Sequence, residues 1–457
     1  MFVTNLFLNT VPGASAPQRN FFAETMVLLF ASVRRKTYFA LHGLSGRSEG
    51  FFRGHFNRDE IDWLSFNAQF VPRDGRPVVL AIDPSFISKS GEGTPGVWRF
   101  WSGCAGTAKR GLEILGIAAL DVANRTASHL LAVQTRLSEE QKKRLREEAK
   151  ARGERPKAGG RKRGKKSGAR GAGKGKAGTR KASRAAKANK TVSKDTLITL
   201  YLNALRDNLE KLQKISKAIV ADAYFSKATF VSEALGMGFH VVSRFRDDAC
   251  LRYLAEPLDP QAKRGRGRPR KYKGKVDVKN PDPERFERVT VSYREEDDTY
   301  RDYELYTAVV NAKGLKMDVR VVVVDMDEPG KKTQRRKIFF STDTAMSAAA
   351  IFMTYRSRFQ IEYLYRDGKG YTGLCDSQSR TVNAMHNSYN FALTALNVAR
   401  AFMKERGIDL SIGSFKMLVH NAYMIGRFIE TFAPGCELEI NEQDFKELLL
   451  CGTQTAA

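Results

Sequence analysis

The sequence predicts an α/β fold, and three observations carry the prediction. Two short apolar runs, PVVLAID and KAIVADAYF, have the length and composition of buried strands and lead into acids, Asp83 and Asp222. Amphipathic stretches such as DTLITLYLNALRDNLEKL alternate with such runs along the middle of the chain. Positive charge is concentrated in blocks instead of being spread over the body.

The formal net charge is +27. Residues 155–194 hold 16 Lys and Arg with no acid and residues 263–275 hold 8 with no acid, which leaves only about +3 for everything else. Localised cationic blocks on a near-neutral body suit a polyanion, of which nucleic acid is the commonest. The five cysteines are scattered, with no C-x-x-C and no zinc spacing, and fit reduced thiols in a cytosol. No run reaches the roughly 18 apolar residues of a membrane span, and the N-terminus lacks a basic leader. A soluble cytoplasmic protein with no membrane partner is expected.

The 457 residues allow about two to four domains. Residues 1–76 read as a helical N-terminal region, with an amphipathic helix over Phe21–Lys36 and a basic one over Arg47–Phe56, either a DNA-end-binding unit or a bundle that only packs. From Pro77 the texture turns to strands: PVVLAID, then LEILGIAALD and ASHLLAVQTRL, after a Gly-rich turn over Gly91–Gly96. A basic insert over 140–194 follows, whose Gly and Lys content cannot bury a core and predicts disorder. Order resumes with one amphipathic helix, the strand bearing Asp222, a helix over Ala228–Leu235 and the strand FHVVSRF, closing a segment over 77–249.

Residues 250–341 carry RVTVSY, YELYTAVV, MDVRVVVVDM and RKIFFSTD, an all-β insertion. At its start, over 263–275, Gly267-Arg268-Pro269 flanked by Arg266 and Arg270 has the pattern of a minor-groove AT-hook; the alternative is a basic loop touching phosphates. Residues 342–400 return to the core with a helix carrying Glu362, and 401–457 are helical. The apolar periodicity of Asn383–Arg406 and Ser414–Phe432 suits a buttress for the Glu362 helix.

Chemistry concentrates in YRSRFQIEYLYRDGK. On a single helix, steps of seven residues bring Tyr355, Glu362 and Lys369 to within roughly 20° of one another, with Arg358 and Arg366 flanking. A half-buried carboxylate among cations needs those cations, a metal, or both; the plain alternative is a solvated face of i, i+4 ion pairs. Asp83 and Asp222 at strand ends and Glu362 on a packed helix offer three hard oxygen ligands without His or Cys, which selects Mg²⁺ or Mn²⁺. Two such ions would suit in-line displacement at a phosphodiester. Asp74, Asp247 and Asp248 fit turns better, and Asp121 is a substitute for one of the three.

These motifs resemble the DDE transposases of bacterial insertion sequences, in the branch with the Y-R-E-K signature. The resemblance runs from about Pro77 to Arg400 through AIDPSFISKSG, IVADAYFS and YRSRFQIEYLYRDGK, the last being the specific one. It implies an RNase H-like catalytic core with a β-rich insertion before the Glu helix. It also implies Asp83, Asp222 and Glu362 as catalytic metal ligands, and Tyr355, Arg358 and Lys369 on phosphates, with Arg366 keeping a cationic role. The implied partners are double-stranded DNA with terminal inverted repeats and target DNA, bound by a homodimer on paired ends in a nucleoid-associated setting. The best-studied branch stacks a flipped base on a Trp in the insertion; here Trp63, Trp98 and Trp101 all lie earlier, and Phe339 or Phe340 is the replacement to examine. The competing functions are another RNase H-like nuclease and a retired DNA-binding protein, although no acid is lost.

Overall fold

The computed structural model describes residues 14–91, 93–151, 197–255, 270–295, 297–327, 334–435 and 441–453. Its centre is a mixed sheet. Strand β1 (Val78–Ser88) runs antiparallel to β3 (Thr107–Asp121) and parallel to β5 (Ala218–Ala221), which pairs in parallel with β6 (His240–Phe245). On its other edge β3 pairs with β2 (Trp98–Ser102) and β4 (Thr126–Gln134). Three antiparallel strands followed by two parallel ones is the RNase H-like arrangement.

Alternation along β1 sorts its side chains between two layers. Leu80 and Ile82 pack with α6 (Leu197–Arg206), α7 (Leu209–Ile215) and α8 (Ala228–Gly236). Val79, Ala81 and Ile87 face α9 (Ala348–Ser357), α10 (Gln360–Asp367) and α11 (Val382–Arg406). Asp83 falls in the second register, toward α10.

The β-rich segment does not stand apart. The sheet continues from β6 through β12 (Gln334–Ser341), β11 (Met317–Asp327), β10 (Tyr300–Ala312), β7 (Leu251–Leu254) and β8 (Tyr272–Lys275), with β9 (Glu287–Arg294) also on β10. Ile338 to Ser341 pair with Phe245 to Val242, so backbone hydrogen bonds join this segment to the core.

The N-terminal helices are α1 (Ala16–Ala31), α2 (Tyr38–Leu44), α3 (Glu49–Arg58) and α4 (Trp63–Ala68). The first starts earlier and ends earlier than its apolar pattern suggested, because a Ser15–Gln18 capping box fixes its start and Ser32 adopts extended backbone. Phe21, Phe22, Phe56 and Trp63 converge on Phe391 of α11, with ring centroids 4.7–5.4 Å from it. Helix α12 (Ile412–Phe432) packs on α1, and α13 (Glu442–Leu450) on α12.

Three local features depart from expectation. The helix over 195–212 divides into α6 and α7, where Asn208 bonds its side chain to the Ala204 carbonyl at 2.9 Å. Within the basic insert, Glu139–Ala151 form helix α5, while 155–194 lie outside the described residues. The Glu362 helix is not continuous. Ser357 Oγ donates to the Met353 carbonyl at 2.9 Å, the following bonds tighten to i, i+3, and α9 gives way to α10 at Arg358–Phe359.

The outer edge of β4 is closed by side chains of α11. Asn390 pairs with Ala132 through both amide atoms, accepting from its N–H at 2.8 Å and donating to its carbonyl at 3.0 Å. Seven residues on, Asn397 does the same with His129 at 3.0 and 2.8 Å. Two asparagines at two-turn spacing thus stand in for a missing strand.

Candidate active site

Register sets the site. Ile82 pairs with Ala221, so the next residues on the two parallel strands, Asp83 within β1 and Asp222 just past the end of β5, lie side by side where their pairing ends. Asp222 turns out of β5 as the cap of a short helical turn, its carboxylate accepting from Tyr224 N at 2.9 Å, and Ser243 Oγ donates to its carbonyl at 2.8 Å. Helix α10 brings Glu362 to the same end.

Arg358, at the α9–α10 break, ties the carboxylates together. Its guanidinium lies 3.6 Å from Asp83 and 2.8 Å from Glu362. Burial pushes the Asp83 carboxyl up to about 7, with Arg358 opposing and the charges of Asp222 and Glu362 adding to the rise. Arg358 Nε and Arg244 Nε are buried with no hydrogen-bond partner among the described residues. Residue spacing alone does not single out Arg244, which sits on β6 opposite Phe339.

The other cations of the motif are placed differently. Lys369 does not continue the single helix on which its spacing placed it: Gly368–Thr372 form a π turn that ends at Gly373, with φ of 82°. From that turn Lys369 Nζ donates to Ser85 Oγ at 3.0 Å, two residues beyond Asp83 on the same strand face. Arg366 points outward, 3.1 Å from Asp367 and 4.6 Å from the Tyr363 ring centroid, away from the carboxylates. Tyr355 is half-buried and stacks on Phe339 at 4.5 Å.

Phe339 and Phe340 are therefore interior rings, 1% and 0% exposed, the second stacked on Phe245 at 4.1 Å. Neither offers a free face to a flipped base. Asp121 does not belong to the site either. It lies at the far end of β3, paired with Arg76 at 2.9 Å and accepting from Asn124 N at 3.0 Å. Asp74 pairs with Arg76, and Asp247 with Arg335, as turn acids do. Arg266 and Arg268 lie outside the described residues. Arg270 is exposed, and Tyr272–Lys275, within the AT-hook-like segment, form β8.

Two features of the site carried no spacing signal. Tyr365, three residues after Glu362, donates from its hydroxyl to the Asp83 carbonyl at 2.5 Å. Behind the sheet, Tyr201 donates to the buried Glu113 at 2.6 Å.

Among the described residues no three His, Cys, Asp or Glu side chains converge as a formed metal cluster. The donor chemistry nevertheless fits a hard divalent cation: the three acids supply only oxygens, and a guanidinium already lies against two of them. No helix among the described residues is long and apolar enough to cross a membrane.

Among solved structures the chain is similar to the piggyBac transposase in a synaptic complex with hairpin DNA, at 11% identity and a TM-score of 0.37, over 98% of this chain and 80% of that one. No curated protein matches. A family model matches residues 46–308, more than half of the sequence, with Asp83 and Asp222 inside it and Glu362 beyond, and by this match the chain belongs to the DDE superfamily endonucleases.

Proposed function

We propose that this endonuclease is a DNA transposase of an insertion sequence, cutting and joining phosphodiesters at paired element ends. The observation that carries the reading is the arrangement of three acids: Asp83 and Asp222 stand next to each other on adjacent parallel strands, one residue past the Ile82–Ala221 pair, and Arg358 holds Glu362 to Asp83. Asp83, Asp222 and Glu362 would hold two Mg²⁺ or Mn²⁺ ions, whose chemistry is to stabilise the attacking and leaving oxygens of an in-line displacement.

The chain's own residues position the DNA. Lys369, anchored on Ser85, presents an ammonium beside the carboxylates for a phosphate oxygen. Tyr355, seated on Phe339, fixes the helix that delivers Arg358. The resemblance supports a homodimer on terminal inverted repeats, and the acid-free tract 155–194 supports added sequence-independent affinity for DNA.

The test is cleavage of a labelled end fragment beside a gel-shift titration. Asp83→Asn, Asp222→Asn and Glu362→Gln should each abolish Mg²⁺-dependent cleavage with end binding nearly intact. Full cleavage by any of them removes that residue from the site.

A further inference from the structure

A cleft of about 1080 Å³ opens between the N-terminal helices, the outer end of β1 and the segment joining the π turn to α11. Its walls carry Lys36 and Arg53 on one side and Lys89 and Arg380 on the other. Arg53 pairs with Glu49 on the same wall and Asp376 accepts from the Lys36 backbone N–H at 3.1 Å, so among the described residues the excess positive charge sits with Lys89 and Arg380. Lys89 donates to the Ser377 carbonyl, not to a carboxylate, and burial and then Arg380 hold its ammonium below the ordinary range. Lys36 has a second cation beside it, Lys416, which burial and then Lys36 push down to about 7. Like charges set close together are costly, and an anion between the walls would relieve both pairs.

The cleft lies farther along the strand that bears the first acid. Asp83, Ser85 and Lys89 follow one another along β1 and its exit, so the cations run Arg358, Lys369, Lys89 over six residues, about 20 Å of extended chain. On the α2 lip Phe39 is 71% exposed. A bare aromatic face beside a row of cations is how proteins grip unpaired strands, since a base locked in a duplex cannot stack on it. Lys89 is half-buried below the lip, where one strand reaches more readily than two.

We propose that this cleft is a single-strand subsite, which holds the phosphates of unpaired DNA running from the carboxylates and stacks one base on Phe39. The proposal rests on the reading of the chain as a DNA-cutting enzyme, and it adds where the strand goes and in what form.

The experiment is fluorescence anisotropy with the full chain, using a labelled oligothymidylate and a random duplex as probes. Lys89→Ala with Arg380→Ala should weaken oligothymidylate binding about tenfold and lower the salt slope by about 1.4, the value for two lost single-strand phosphate contacts. Duplex binding should change less than about twofold, because the tract 155–194 is untouched. Phe39→Ala should weaken the single strand alone by about 1–3 kcal/mol of stacking, a factor of roughly 5–150. Arg380→Glu, at an exposed position, repeats the test without risk to folding. Equal losses on both probes, or none on oligothymidylate, would overturn the subsite. A wild-type protein that cuts duplex ends yet ignores oligothymidylate overturns the subsite and spares the function. One that cuts no DNA but binds oligothymidylate through Lys89 and Phe39 does the reverse.

Discussion

The Tyr365 hydroxyl reaches the Asp83 carbonyl at 2.5 Å because Gly116, opposite Asp83 on β3, has no side chain. A Cβ built on Gly116 would stand 2.1 Å from the Tyr365 hydroxyl oxygen and 2.9 Å from its ring carbon Cζ. The pair locks the strand bearing the first acid to the helix bearing the third.

Removing only the hydroxyl, in Tyr365→Phe, should cost about 1–2 kcal/mol of stability and lower cleavage, since α10 loses its tie to β1. Gly116→Ala should cost more, about 3 kcal/mol. The two changes share one contact, so the double variant should fall short of additivity by about 1 kcal/mol or more. Denaturant melts of the four proteins measure the coupling, and strict additivity would place Tyr365 elsewhere.

Arg358 is the counter-cation of Asp83 and Glu362, and Arg358→Ala should cost about 3 kcal/mol by leaving two acids without a partner. A divalent cation can take up that vacancy. Added Mg²⁺ or Mn²⁺ should therefore raise the melting temperature of Arg358→Ala more than that of the wild type, by linkage to the folded state. Equal shifts in the two proteins would argue against metal binding between these carboxylates.

Lys369 is exposed and donates to the Ser85 hydroxyl, so Lys369→Ala should leave stability within about 0.5 kcal/mol of wild type. If the ammonium meets one phosphate of the element end, the slope of log affinity against log salt should fall by about 0.9, with cleavage impaired. Unchanged binding and cutting on native ends would leave Lys369 a strand-anchoring residue only.

Much of the sheet was legible because its strands announce themselves: PVVLAID and KAIVADAYF are apolar on both faces, as strands covered by helices on either side must be. Their register was not legible. That Ile82 meets Ala221, which puts Asp83 beside Asp222, depends on helices packing both faces at once. One stripe of Tyr355, Arg358, Glu362 and Lys369 requires one ideal helix, and the chain breaks that helix at Arg358–Phe359, just after Ser357 bonds back to Met353. Arg358 still reaches Glu362, whereas Arg366 swings outward and Lys369 joins a π turn. The run of the sheet from β6 into β12 was hidden as well, since an edge-to-edge join leaves no mark in either strand's composition.

His129 gives a pH test of the sheet–helix joint. Burial pushes its imidazole down to about 3, with the Asn390 side-chain oxygen, 3.1 Å from Nε2, opposing. The ring is neutral in the fold and titrates near its ordinary 6.5 when unfolded. Between those values the unfolded chain holds the extra proton, so stability is complete above about pH 6.5 and falls by up to about 1.4 kcal/mol per unit below it. His386, half-buried near Asn390 and also pushed down by burial, adds to the slope in the same sense. His129→Gln keeps a hydrogen-bonding amide but cannot take up a proton. It should be the less stable protein at about pH 8, by 1–2 kcal/mol or so for imperfect packing, and the gap should close by roughly 1–2 kcal/mol as the pH is lowered toward 5. The measurement is unfolding free energy against pH for both proteins. Parallel curves would mean that His129 binds its proton equally well in the fold and in the unfolded chain, so that burial does not disfavour the imidazolium.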